Sequence, residues 1–139
     1  MSDLERFTVS MDKRLLERFD ERNKEKGYTN RSEGIRDLVR NCLIEEQMKD
    51  KDEKVAATVT IVYDHHKREL SDSLIEIQHH HSNVVVAATH VHLDNENCLE
   101  VIILRGKCVE VKSIADMIIA QKGVKHGKIV LTTEGKDIW

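Results

Sequence analysis

Apolar and polar positions alternate from Arg6 to Met11. Phe7, Val9 and Met11 fall on one face and Arg6, Thr8 and Ser10 on the other, the pattern of a half-buried strand. The period then lengthens. Leu15, Leu16 and Phe19 form the stripe of a first helix, with Asp12 as its N-cap and Gly27 at its C-terminal end. Tyr28-Thr29-Asn30 makes a turn, and Asn30 followed by Glu33 resembles a capping box that opens a second helix. Ile35, Leu38, Val39, Cys42 and Leu43 carry that helix's apolar stripe, so Cys42 is expected in a core. Gly34 weakens its first turn by roughly 1 kcal/mol relative to alanine, a deficit that packing must offset.

The run Glu45 to Lys54 has one apolar residue, Met48, and reads as a fraying helix end or a linker. It divides the chain into an N-terminal domain, residues 1–50, and a C-terminal domain, residues 54–139. Beyond it the apolar pattern predicts a strand over 55–63, a helix over 67–78 and strands over 84–93 and 99–104. A helix through Ile114, Ala115, Ile118 and Ile119 then ends near Gly123, and a last strand covers 128–133. The fold class is α+β. The C-terminal order, β-α-β-β-α-β, is the ferredoxin-like arrangement, with two helices on one sheet face and the other face bare.

Composition changes this picture little. The chain of 139 residues has 40% apolar residues, 34% charged residues and no proline, consistent with globular folding. No run is long and apolar enough for a membrane span, and Met1-Ser2-Asp3-Leu4-Glu5 is no signal peptide. Cys42, Cys98 and Cys108 make no disulfide framework, so a reducing cytoplasm is the expected compartment. Cys108 reads as a half-exposed free thiol. The net charge of −3 does not mark a nucleic-acid binder. Any DNA binding has to come from local placement of charge.

A lone short strand is not stable by itself. Its cheapest partner is the same strand from a second chain, which leaves Arg6, Thr8 and Ser10 of both copies on one exposed face. Such a two-stranded ribbon fits the DNA major groove, where arginine reads guanine and hydroxyls read several base edges. The backbone amides at Asn30, Arg31 and Ser32, opening the second helix, suit a phosphate. Pattern alone leaves a second reading open, a dimerisation module with an ordinary polar strand face.

The densest chemistry lies between Gln78 and Cys98. His79-His80-His81 is followed by His90-Val91-His92 and then Cys98, which places five of the eight histidines in this window. His90 and His92 fall on one face of a strand, about 7 Å apart. Imidazoles with a thiolate suit zinc, copper or nickel. A histidine-rich surface loop is the plainer alternative. It leaves two unpaired histidines pointing the same way from an apolar strand without a reason. For Cys98 to share their face it must pair directly with His92, which requires an odd turn of three or five residues. Asn95-Glu96 as a two-residue turn would put the thiol on the opposite face. The same register sets Glu100 across from His90, as an acceptor that fixes an imidazole tautomer. Val84, Val86, Ala88, His90 and His92 then share a face with Cys98, Glu100, Ile102 and Leu104. That mixed face needs a cover, and a second subunit's sheet is the simplest.

Two groups of motifs carry a specific resemblance. Arg6-Phe7-Thr8-Val9-Ser10 with Gly27-Tyr28-Thr29-Asn30-Arg31-Ser32-Glu33-Gly34-Ile35-Arg36-Asp37 resembles a ribbon-helix-helix repressor. Gln78-His79-His80-His81, His90-Val91-His92, Asn97-Cys98-Leu99-Glu100 and Gly123-Val124-Lys125-His126-Gly127 extend the likeness over nearly the whole chain. The chain is identified as a member of the nickel-responsive transcriptional regulators (NikR), with an ACT-like metal-binding C-terminal domain. The resemblance implies square-planar Ni(2+), one per chain, held by His79 of one subunit with His90, His92 and Cys98 of a neighbour. It puts Arg6, Thr8 and Ser10 at base-reading positions, the last commonly threonine. It places a cation between the domains at Glu33 and Asp37, for which a solvated acidic face is the alternative. Gly34 stands where alanine is more usual and should loosen the helix.

The remaining features get plain readings. His65-His66 is read as an exposed strand end in preference to an auxiliary metal site. His80 and His81 are bystanders, and His126, between glycines, is a turn residue. The reading is a nickel-dependent DNA-binding regulator, a repressor of nickel uptake genes and not an enzyme, binding operator DNA as a homotetramer built as a dimer of dimers. One rival is a small-ligand sensor of the same fold without metal, which has no need of the Cys98 thiolate. The other is a metal enzyme, which needs an open coordination position and a general base.

Overall fold

The computed structural model describes residues 3–139 and divides into two compact units, the break falling between Cys42 and Leu43. Residues 3–12 form no helix and no ladder. A strand exists through its pairing, and no segment of the described chain pairs with this one. Helix α1, Lys13–Lys26, starts on Asp12, whose carboxylate accepts the Arg14 N–H at 2.9 Å. It stops at Gly27, which takes a left-handed φ of 82°. Helix α2, Arg31–Gln47, is capped by Asn30 Oδ1, which accepts the Glu33 N–H at 2.9 Å. The reciprocal bond of the expected capping box goes one residue further back: Glu33 accepts the N–H and the hydroxyl of Thr29.

The N-terminal unit has no buried apolar side chain among its described residues; only Asn23 and Gly34 are buried there. Phe7, Val9, Met11, Leu15, Leu38 and Val39 are all exposed. Cys42 is exposed as well, against expectation, because two short helices offer nothing to cover the outer stripe of α2. Gly34 also has a packing role: a Cβ there would lie 2.5 Å from Asn23 Oδ1, so the glycine admits a close approach of α1.

In the C-terminal unit the expected order is present. Strand β1 (Lys54–Asp64), helix α3 (Arg68–His80), strands β2 (Val85–His92) and β3 (Asn97–Lys107), helix α4 (Cys108–Ile119) and strand β4 (Val124–Thr133) follow in turn. The sheet is antiparallel throughout, in the order β2-β3-β1-β4. The charged run before β1 is no free linker. Met48 packs on the core, and the carbonyls of Lys51 and Glu53 accept the N–H groups of Val109 and Cys108. Cys108 is therefore buried, its thiol 3.7 Å from the Met48 carbonyl, and not half-exposed.

The core face joins Val55, Val59, Ile61 and Tyr63 of β1 to Cys98, Ile102 and Leu104 of β3, under Leu70 and Leu74 of α3 and Val111, Ile114 and Ile118 of α4. The face of Cys98 and Glu100 is thus covered by the chain's own helices, not left for a second sheet. The bare face is the opposite one, with Val91, Ile103 and Val130 exposed on it. The alternation expected along β2 breaks near its start. The register shifts between Val85 and Ala87, so Val85 pairs with Leu104 and Val86 is 61% exposed. Ala88, His90 and His92 keep the face assigned to them. His126 lies within β4, paired with Val62, and is not a turn residue.

Candidate metal centre and nucleic-acid interface

Strands β2 and β3 join through Asp94, Asn95 and Glu96, with the Leu93 N–H donating to the Asn97 carbonyl at 2.8 Å. This odd turn sets the register. His92 pairs with Cys98, and His90 pairs with Glu100. Asp94 fixes the turn by accepting the N–H groups of Glu96 and Asn97, each at 2.8 Å. Those bonds hold its carboxyl at a pKa of about 2.

Directly paired residues put their side chains on one side of the ladder. The result is a cluster in which donor atoms of His90, His92 and Cys98 all lie within 4.8 Å of one another. Both histidines are exposed, because β2 is the edge strand, while Cys98 is fully buried. Burial pushes the Cys98 thiol up, helped by the negative charges of Glu100, Asp64 and Asp94. The sulfur therefore keeps its proton until a cation displaces it. Two imidazoles and one thiol fit a borderline transition metal. His79 is not in the cluster; it is exposed at the C-terminal end of α3.

Glu100 is buried and has other partners than the imidazole it faces. It accepts the Tyr63 hydroxyl at 2.9 Å and the Gln78 side-chain amide at 2.8 Å. Its role as an acceptor for His90 is not what these bonds display. It ties the last turn of α3 to the rung beneath His90, beside a cavity of about 350 Å³ between α3 and the edge strand. Tyr63 and Gln78 escaped the sequence reading. Gln78 adjoins His79 and was visible in the motif, whereas Tyr63 is linked only through the β1–β3 register.

The His65-His66 pair is more than a strand end. Both rings put Nε2 2.8 Å from the Asn95 carbonyl, and His65 stacks on His92 with centroids 4.6 Å apart. A carbonyl only accepts, so each ring carries its proton on that nitrogen. The pair fastens the end of β1 to the turn that sets the ligand register.

In the N-terminal unit, Arg6, Thr8, Ser10, Asn30 and Ser32 are exposed. Phe7, Val9, Met11, Leu16, Phe19 and Ile35 are among the residues around an opening of about 810 Å³. Arg31 pairs with Asp20. Glu33 and Asp37 each have a neutral hydrogen-bond partner within the unit. Glu33 bonds Thr29, and Asp37 accepts the Tyr28 hydroxyl.

Residues 56–132 match the family described as "NikR C terminal nickel binding domain", and residues 5–46 match "Ribbon-helix-helix protein, copG family". Full-length relatives share the name "Putative nickel-responsive regulator". That of Geobacter sulfurreducens is 56% identical over 99% of both chains, and that of Pyrococcus furiosus is 50% identical over 96% of both. Among solved structures, the uncharacterized protein TM1266 from Thermotoga maritima superposes with a TM-score of 0.51 at 18% identity. It covers 57% of this chain and 98% of its own, a likeness of fold alone.

Proposed function

The chain belongs to the nickel-responsive regulators, and we propose that it represses nickel uptake genes from an operator gripped by paired N-terminal strands. It is a nickel-dependent DNA-binding transcriptional regulator and not an enzyme. The observation that carries the metal site is the convergence of His90, His92 and Cys98 across one hairpin.

These three side chains would hold the nickel, one ion per chain, with His79 of a second copy as fourth ligand. The exposure of His79 outside its own chain's cluster supports that assignment. Bound there, the metal supplies a cross-link between subunits. Cys98 holds its proton in the free protein and gives it up on ligation. Glu100 positions the end of α3, and with it His79, through Gln78.

Two unfilled surfaces support a homotetramer. The apolar side chains of the N-terminal unit call for a second N-terminal strand, and Val91, Ile103 and Val130 call for a cover over the bare sheet face. With different partners at the two surfaces, a dimer of dimers closes. Arg6, Thr8 and Ser10 face bases, and the first turn of α2 meets a phosphate. Ligation biases the arrangement of the DNA-binding pairs by its differential affinity for the alternatives. The compartment is the cytoplasm; no helix among the described residues is long and apolar enough to cross a membrane.

The test is a nickel titration of DNA binding. Duplexes are selected from a random pool by the nickel-loaded protein, and affinity is read by fluorescence anisotropy. Affinity should rise to a plateau at one equivalent per chain and be unresponsive in Cys98→Ala. Equal affinity with and without nickel would reject the coupling.

A further inference from the structure

Arg31, the first residue of α2, does not stand free at the surface assigned to phosphate. Its Nε and one terminal nitrogen donate to the two carboxylate oxygens of Asp20 on α1, each at 2.9 Å. Two parallel bonds between planar groups form the strongest and most directional pairing open to arginine. The Arg31 bond lowers the Asp20 carboxyl, and the Asp20 bond raises the guanidinium. The pair is thus fully ionised at neutral pH. The side chains remain 59% and 41% exposed, so solvent and a DNA backbone can both reach them.

The charge balance gives this pair weight. Residues 1–44 hold ten Lys or Arg against nine Asp or Glu. Each phosphate neutralised by a free cation steepens the salt dependence of binding by about 0.9 in log–log slope. A guanidinium already neutralised by a carboxylate brings no such counterion release. Its contribution to sequence-independent affinity is withheld.

We propose that Asp20 is a specificity-determining residue that keeps Arg31 out of the phosphate contacts, so that α2 meets the backbone through its first-turn amides alone. Arg31 then acts as a strut between the helices. Affinity for arbitrary DNA stays low, and discrimination falls to Arg6, Thr8 and Ser10. The inference rests on the reading of the N-terminal unit as the DNA-binding part.

The experiment measures binding of the full-length, nickel-loaded protein to a selected duplex and to a random duplex over a salt series. Four proteins are compared: wild type, Asp20→Asn, Arg31→Ala and the double variant. Asp20→Asn should steepen the salt slope by about 0.9 on both duplexes. It should also tighten the random duplex and narrow the ratio between the two. Arg31→Ala leaves Asp20 unpaired and serves as the reference for the carboxylate's own repulsion of DNA. The double variant, which carries neither charge, should return to the wild-type slope. A slope shallower by about 0.9 in the double variant would overturn the proposal, since Arg31 would then touch phosphate despite Asp20. A wild-type slope in Asp20→Asn would overturn it too. Circular dichroism checks that each variant is folded, and the double variant decides the matter even if Asp20→Asn is not folded. Failure of the wild-type protein to bind either duplex would instead reject the DNA-binding reading itself.

Discussion

His92 and Cys98 are direct partners across the β2–β3 ladder, with Asp94, Asn95 and Glu96 turning the chain between them. This rung puts the thiol beside two imidazoles. Cys98→Ala should abolish the thiolate-to-nickel charge-transfer band in an ultraviolet–visible titration. Cys108→Ala should keep it, because Cys108 is buried against Met48. Nickel binding should weaken as pH falls, since thiol and imidazoles must lose protons to ligate. A band surviving in Cys98→Ala would remove the ligand assignment.

His79 belongs to another copy's site on this reading. His79→Ala and Cys98→Ala proteins, each defective alone, should regain a minority of complete sites when mixed and allowed to exchange subunits. Sedimentation should give a mass near four chains, with or without nickel. No recovery after verified exchange would confine the site to a single chain.

Arg6→Ala should lose about 1–3 kcal/mol of operator affinity and relax preference at one base pair, while fold and nickel titration stay as in wild type. Undiminished operator binding by this variant would take the base-reading role away from the N-terminal segment.

Gly34→Ala decides between two opposed effects. Helix propensity alone would stabilise by about 1 kcal/mol. The added Cβ, however, would come within 2.5 Å of Asn23 Oδ1 and 2.8 Å of Asn23 Nδ2. Asn23 is buried, which leaves its amide little room to yield. Steric cost should win, with a net loss of about 1–3 kcal/mol in chemical denaturation. Adding Asn23→Ala should recover much of it, a coupling readable in a double-mutant cycle. A stabilised Gly34→Ala protein would mean the contact is loose.

Asp12 gives a pH signature. The Arg14 side chain and backbone N–H both bond its carboxylate and lower its pKa. A depressed folded value means the contribution is fully present above the unfolded value, about 3.9, and fades as pH falls through the lower folded one. Helicity of α1, followed by amide exchange, should decline over that acid interval in wild type. In Asp12→Asn this component should be flat, because an amide caps without titrating. Identical acid profiles would show that the cap does not titrate in the folded state.

Periodicity and spacing determined most of the architecture. The helix caps at Asp12, Gly27 and Asn30 act through neighbours in sequence, and the βαββαβ order follows from apolar runs long enough to be unambiguous. The ligand register was legible as well, because a side-chain period of 2 ties the face of Cys98 to the parity of its turn. Burial is a different matter. Which face the helices cover depends on packing between distant segments, so the Cys98–Glu100 face proved internal while its neighbours on the edge strand stayed exposed. A single-residue bulge at Val86 leaves no mark in an apolar run, and it broke the alternation. Cys42 and Cys108 exchanged their expected environments because a stripe is buried only where something covers it, and Met48 reaches back to cover Cys108. The bonds of Glu100 to Tyr63 and Gln78, of His65 and His66 to Asn95, and of Arg31 to Asp20 join residues far apart in the chain. No local pattern encodes them. Only the folded geometry, which brings these side chains within reach of one another, selects them; burial adds its demand for a partner at Glu100 alone.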